Sequence, residues 1–354
     1  MIPVLYSKTN SEFYGNGLGL LSDVESCECT EKLNKSYELV LKMRSTAVHA
    51  GDIDVDCIIK AKPNYEDDPQ PFRVYSVEKN NDGEITARAA HISYDTAGIP
   101  ILPFTAENLD DAVENLNTNR MLLTDSKFVI NSEFSAEGTM EVNSPTSFRS
   151  LLGGSSTSII EIYKGEYHYD NFTVNLMKRR GKNRGVCFRY GKNIASFEQT
   201  LDSQNLYTAV LGYWKKSSSS NQNDNIIYGN IIECEGVFSY DKIYILDTTN
   251  DIKTEGDADA TVDQIDECVT KYIEENAPGI IDNKIKIDYT KDDDIIQICI
   301  GDVVGIIYPE YNINLSVRCN TVVFDSLEEK NISVEVGTEE KDIADIIVEL
   351  SSKE

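Results

Sequence analysis

Alternation of apolar and polar positions dominates the first hundred residues. Tyr37, Leu39, Leu41 and Met43 alternate with Glu38, Lys42 and Arg44, which predicts a half-buried strand. Another strand precedes it with Cys27 and Cys29 on one face, and Leu33-Asn34-Lys35-Ser36 is the turn between the two. Phe72 to Lys79 and Glu84 to Ile92 flank Asn80-Asn81-Asp82-Gly83, a hairpin signature because Asn and Gly accept left-handed turn conformations. The Lys62 to Pro71 stretch, with three Pro and three acidic residues, predicts a surface loop.

The pattern changes near residue 99. Thr105 can cap a short helix in which Leu109, Ala112, Val113 and Leu116 share a face. A further helix is expected after Ser144 as N-cap, with Pro145 in the first turn, Phe148, Leu151 and Leu152 inward, and Gly153 at its stop. Tyr167 and Tyr169, the Asp170-Asn171 turn, then Phe172, Val174 and Leu176 read as a hairpin. Residues 101–204 are therefore a mixed α/β unit. β-runs resume at Tyr207–Trp214 and Ile226–Leu246, split by the polar tract Ser217 to Asn225. A polar, acidic linker over 247–260 leads into a helix at 261–276. Thr261 and Gln264 form its capping box, Val262, Ile265, Val269, Tyr272 and Ile273 its stripe, and Pro278-Gly279 its end. From Lys284 to Val336 the chain is β again, and no repeat of fixed period is present.

Length and composition fit this layout. A chain of 354 residues predicts about two to four domains. Nineteen Tyr with abundant Ile, Val and Thr favour strands. No apolar run approaches the roughly 18 residues of a membrane span, and Met1-Ile2-Pro3-Val4-Leu5-Tyr6 lacks the basic and apolar regions of a secretion signal. Synthesis in a cytoplasm is expected, and the eight Cys, most of them within apolar runs, are expected to be buried reduced thiols. The net charge of −27 argues against a DNA-binding protein, whose affinity rests on displacing counterions with a basic footprint.

The residues offer little chemistry. His49, His91 and His168 are the only imidazoles and fit structural roles, and no His-Glu-x-x-His stretch occurs. Cys27-x-Cys29 has no second pair at zinc-finger spacing. Gly15-Asn16-Gly17-Leu18-Gly19 lacks the Lys-Ser/Thr pair and following helix of a phosphate loop. Asp257 to Thr261 opens like a calcium loop, but Val262 and Cys268 stand where Gly and a bidentate Glu are required. Asp292-Asp293-Asp294 reads as an exposed turn. No catalytic, metal-binding or cofactor-binding residues are assigned. One constellation stands out in so acidic a chain: Arg179, Arg180, Lys182 and Arg184, followed by Arg189 and Lys192. Its simple reading is a solvated hairpin tip. Its sharper reading is a subunit-contact loop, with Arg179, Arg180, Lys182, Arg184 and Arg189 as candidate contacts to an acidic neighbour.

Several blocks together resemble the prophage tail-endopeptidase family, the tail-associated hub proteins of phages infecting Gram-positive bacteria. They are Ile2 to Tyr6, HISYDTAGIPILPFTA at 91–106, SPTSFRSLLGG at 144–154, EIYKGEYHYDNFTVNL at 161–176 and RRGKNRGVCFRYGKNI at 179–194. IGDVVGIIYPEYNINLSVRCNTVVFDSLEEKNISVEVG at 300–337 resembles the family's closing β-barrel segment. The family is similar in architecture to the baseplate hub of contractile T-even phages.

The resemblance implies a β-rich α+β multidomain chain with two similar β-barrel domains. The first barrel would take 1–100 plus 205–250, the inserted α/β unit 101–204, a helix and second barrel 251–340, and a tail 341–354. It implies a homotrimer whose six barrels meet the tail tube or distal tail protein on one side and a spike, fibre or tape-measure protein on the other. DNA would pass through the lumen without specific binding, and the location would be a virion tail or baseplate. Members with lytic activity carry it in a C-terminal extension, and this chain ends at Glu354 soon after the second barrel. A structural protein, not an enzyme, is therefore expected. The alternatives are a tail-associated cell-wall hydrolase and a host-surface glycan- or receptor-binding module, the latter with an aromatic platform around Tyr167, Tyr169 and Trp214.

Overall fold

The computed structural model describes residues 1–337 except 124, 156, 217–225, 237, 250, 253, 255–257 and 290–296. The Ser217–Asn225 tract, the Asp257 position, the Asp292–Asp294 turn and the 341–354 tail lie outside the described residues. The chain divides into two compact units: Met1–Phe197 with Lys286–Val336, and Glu198–Ile285 with the residues after 336.

The first unit opens with strands β1 (Val4–Tyr6), β2 (Gly19–Leu20), β3 (Val24–Lys32), β4 (Tyr37–Arg44), β5 (Ile58–Ala61), β6 (Gln70–Lys79) and β7 (Glu84–His91). The β3–β4 and β6–β7 hairpins form as their turn residues predict, with Asn34 and Gly83 at positive φ. Cys27 and Cys29 are both buried on one face. The proline-rich 62–71 stretch differs from the exposed loop expected of it. Asn64 and Gln70 are buried because they hydrogen-bond Asp67 and Asp170.

The insertion holds β8 (Pro100–Ile101), β9 (Phe104–Asn108), α1 (Leu109–Thr118), β10 (Val129–Ser132), β11 (Glu137–Val142), β12 (Thr146–Ser147), α2 (Phe148–Leu152), α3 (Ile159–Tyr163), β13 (Glu166–Asp170) and β14 (Thr173–Met177). The expected apolar faces of both helices pack into the core, Val113 only partly buried, but their caps sit further along. Thr105 is paired with Glu141 in β9–β11, so α1 starts only after Asn108, whose side chain accepts from Asp111 N–H. Ser147, not Ser144, caps α2, because Thr146–Ser147 is pinned to Pro100–Ile101 as a short bridge.

The remaining elements are β15 (Asn183–Arg189), β16 (Ile194–Asp202), β17 (Ala209–Lys215), β18 (Ile226–Glu233), β19 (Ile243–Asp247), α4 (Val262–Asn276), β20 (Asp282–Tyr289), β21 (Val303–Tyr308), β22 (Ile313–Asp325) and β23 (Lys330–Gly337). A 13-stranded sheet runs β16-β20-β23-β22-β3-β4-β7-β6-β5-β1-β2, with β21 joining β15 to β22. Its central row, Phe324–Cys29–Leu39–Ala89–Val74, crosses five strands with every residue buried. The 13-residue β22 pairs β21 with its first half and β3 with its second.

This β-rich α+β architecture agrees with the expected class, but the arrangement into two separate barrels needs correction. The N-terminal and closing β-runs share one sheet through β22–β3, and no sheet among the described strands closes into a barrel. Nor do the 205–250 strands return to the first sheet. They form their own sheet, β18-β17-β19, in the second unit.

There the predicted helix covers one face. The capping box of Thr261 and Gln264 is present, and Ile265 and Val269 pack with Val210 and Trp214. Gly212 and Gly229 let α4 approach. A Cβ at Gly212 would lie 2.5 Å from a Val269 methyl, and one at Gly229 2.5 Å from the Asp266 carboxylate. That carboxylate accepts from the Asn230 backbone and side-chain amides at 2.7 and 2.6 Å. No helix among the described residues is long and apolar enough to cross a membrane.

Candidate functional site

The basic run leaves the β13–β14 hairpin and enters a crossing of two chain segments. Gly181 and Gly301, at φ +81° and +82°, touch back to back. A Cβ on Gly181 would sit 1.9 Å from the Gly301 carbonyl carbon, so neither position accepts a side chain without rearrangement. Ionic groups close around this crossing. Arg318 donates to the carbonyls of Gly301 at 2.8 Å and Arg180 at 2.7 Å, and clasps both Glu166 oxygens at 2.7 and 2.6 Å. The Arg180 N–H donates to Glu166 at 2.6 Å. Its guanidinium, almost wholly buried, donates to Glu31 at 2.6 Å and to the Tyr167 carbonyl at 2.9 Å.

A second layer surrounds Asp302, whose side chain is 1% exposed. It accepts from Lys182 N–H at 2.6 Å, Cys299 N–H at 2.8 Å and Arg184 Nε at 2.5 Å. Arg184 also donates to Glu66 at 2.6 Å, and Lys182 Nζ reaches the same oxygen at 3.3 Å. Beside them His168 and Asp67 pair at 2.9 Å.

Charge-assisted bonds of this kind are strong where water is excluded, and each holds its partner charged. Burial alone would weaken the Arg180 cation, but Glu31 more than offsets it and its pKa stands above the ordinary value. The hydrogen bond from Arg184 holds Glu66 below the usual carboxylate range, and the bonds to Glu66 and Asp302 push Arg184 up. His168 is raised by its bond to Asp67 against the opposing pull of burial.

Of the five residues singled out in the sequence, Arg180, Lys182 and Arg184 are drawn into this clasp. Arg179 and Arg189 lie on the surface. The acidic partners were missed, as was Arg318. One was readable: Glu31 continues the buried face of Cys27 and Cys29, and a carboxylate on an apolar face requires a cation. Glu66, Asp302 and Arg318 lie 116 or more residues from the part of the run they bind, Glu166 lies 14 residues before Arg180, and no local pattern marks any of them.

The three imidazoles are engaged structurally. His91, pushed down to about 3 chiefly by burial, stacks on Tyr37 at 4.6 Å and faces Gln70. His168 faces Asp67, and His49 faces Asp52 at 2.8 Å. All eight cysteines are unpaired thiols, six of them buried. No cluster of His, Cys, Asp and Glu suited to a metal ion occurs among the described residues. The aromatic platform considered for a glycan is absent in that form, because Tyr167, Tyr169 and Trp214 are 2%, 6% and 6% exposed and belong to the two cores.

The comparisons agree with this architecture. The chain resembles a prophage tail protein of Listeria monocytogenes over 99% of both chains, at 15% identity and TM-score 0.59. It resembles the 43 kDa tail protein of prophage MuSo2 from Shewanella oneidensis over 96% of this chain and 99% of that one, at 10% identity and TM-score 0.62. A tail protein of Neisseria meningitidis matches over 96% of both chains, at 9% identity and TM-score 0.60. At such identities the likeness establishes the fold. No curated protein matches by sequence. Residues 182–347, which carry half of the clasp, match the family model described as prophage endopeptidase tail, and by that match the resemblance to this family holds.

Proposed function

We propose that the chain is a structural hub subunit at the tail tip or baseplate of a phage or phage-tail-like particle. Three copies would form a ring that joins a sixfold tail tube to a threefold spike or fibre. The observation that carries this reading is the correspondence of fold, over 96% or more of each chain, with two prophage tail proteins and a tail protein of Neisseria meningitidis.

The site supports a mechanical role. Its charges are spent on one another: the clasp ties β3, the β13 hairpin, the basic run and the closing strands into one body. A part that transmits force gains from such cross-links between distant segments. Three copies would carry −81, three times the chain's −27, so acidic groups facing a lumen would let DNA slide without sticking.

Negative-stain microscopy of the purified chain, alone and with its tail partners, tests the proposal. Rings of threefold symmetry are expected. Peptidoglycan fragments released by the purified chain would instead favour the hydrolase.

A further inference from the structure

The basic run does not end at the clasp. Residues 171–197 hold seven Lys and Arg and no Asp or Glu, a net +7 inside a chain of net −27, which leaves −34 for the rest. Past Arg184 the run reaches the turn between β15 and β16. Four aromatic rings collect there. Tyr190 and Tyr308 lie 4.4 Å apart, Tyr308 and Tyr311 4.9 Å, and Phe197 and Tyr308 4.6 Å between centroids. Tyr190 and Tyr311 are 46% and 63% exposed.

The turn is built rigidly. The side chain of the buried Asn193 accepts from Arg189 N–H at 2.8 Å and donates to the Cys187 carbonyl at 3.1 Å, and Tyr190 N–H donates to the Ile307 carbonyl at 3.0 Å. Arg189 and Lys192 flank the rings, both exposed, and unlike Arg180 and Arg184 they make no ion pair among the described residues. Glu310 is the acid on the adjoining turn and lies against the Tyr190 hydroxyl.

We propose that this tip, the rings of Tyr190, Phe197, Tyr308 and Tyr311 with Arg189 and Lys192 beside them, docks on the acidic surface of a second copy of this chain. Three features select that occupant. The complementary charge is supplied in excess by the chain itself. Exposed Tyr beside Arg on a preorganised turn is the composition of a protein-contact hot spot. The central ring, Tyr308, is covered by the other three at 4.4–4.9 Å and interplanar angles of 22–39° and is 9% exposed, so it offers no face to a sugar or a base. The inference rests on the hub reading for the need of a neighbouring copy, but it fails or stands separately.

Sedimentation velocity of the full chain over a concentration series tests it, at low and high salt. The variants are Arg189→Glu with Lys192→Glu, and Tyr311→Ala, whose side chain is exposed, with circular dichroism to verify folding. Wild-type association should weaken with salt, and the charge-reversal pair should weaken it at least tenfold, about 1.4 kcal/mol. Tyr311→Ala should weaken it at unchanged salt dependence. Association that both variants preserve, or a wild type monomeric throughout, overturns the proposal. Threefold rings that persist in the variants would sink the tip contact and leave the hub. Tip-dependent dimers without rings would sink the hub and leave the contact.

Discussion

The ionic clasp of the first unit and the helix-covered sheet of the second solve the same task by opposite means. Around Gly181 and Gly301, segments distant in sequence are held by buried Arg–carboxylate pairs. In the second unit α4 is held by Ile265 and Val269 against a sheet made thin by Gly212 and Gly229. Burying charges carries a large desolvation cost, so the clasp contributes less net stability than its short bonds suggest, yet breaking half of a pair is costly. Apolar packing tolerates small losses and punishes added bulk. One region is specified by pairing, the other by shape.

Substitutions break the two regions differently. The largest effect is expected from Arg318→Met, which leaves Glu166 without its cation, though still held by the Arg180 N–H, and takes the Arg318 donor from two carbonyls in a nearly dry site. The loss should be about 3–5 kcal/mol in urea unfolding, and adding Glu166→Gln should return part of it. Full stability in Arg318→Met would mean that water already serves these groups. Gly212→Ala in the second unit should cost about 1–3 kcal/mol, read as a lower melting temperature, because the new methyl collides with Val269 and Ile265. Thr261→Ala removes the capping-box hydroxyl of α4 and should cost about 1 kcal/mol, with the helix end fraying first in hydrogen exchange.

A pH series sharpens the comparison with a smaller effect. His168 is raised above the ordinary 6.5, so its pairing stabilises fully below 6.5 and is lost as pH rises through the raised value. Burial raises Asp67, but the bond to His168 and its neighbours prevail and leave it below 3.8, so its share is lost only as pH falls through that lower value. The pair contributes fully between the two. His91, pushed to about 3, acts oppositely, its stabilisation fading as pH falls below 6.5. Between 6.5 and about 8, below the range in which the buried thiols raised by burial begin to contribute, the decline therefore belongs to His168. His168→Asn should flatten the urea midpoint there, and an unchanged slope would refute the assignment.

The two regions were also unequally legible in the sequence. The stripe and capping box of α4 lie within one helix, and periodicity exposes them. The hairpin turns at Asn34 and Asn80–Gly83 are equally local. The helix caps slipped by three residues in both cases, since Thr105 and Thr146–Ser147 are captured by strand pairing that no local signal announces. The single shared sheet escaped notice because β22 changes partners midway, a property of tertiary pairing. The basic run was visible, but of its acids only Glu31, on the strand face of Cys27 and Cys29, carried a local signal. Glu66 and Asp302 are scattered over the chain among 60 acidic residues, and only the fold selects them.

The most direct test of the central claim is the copy number and position of this chain in an assembled tail particle, measured by cryo-electron microscopy. The account predicts three copies encircling the axis where the tube ends. A single copy, a sixfold ring along the shaft, or a place out on a fibre would contradict it.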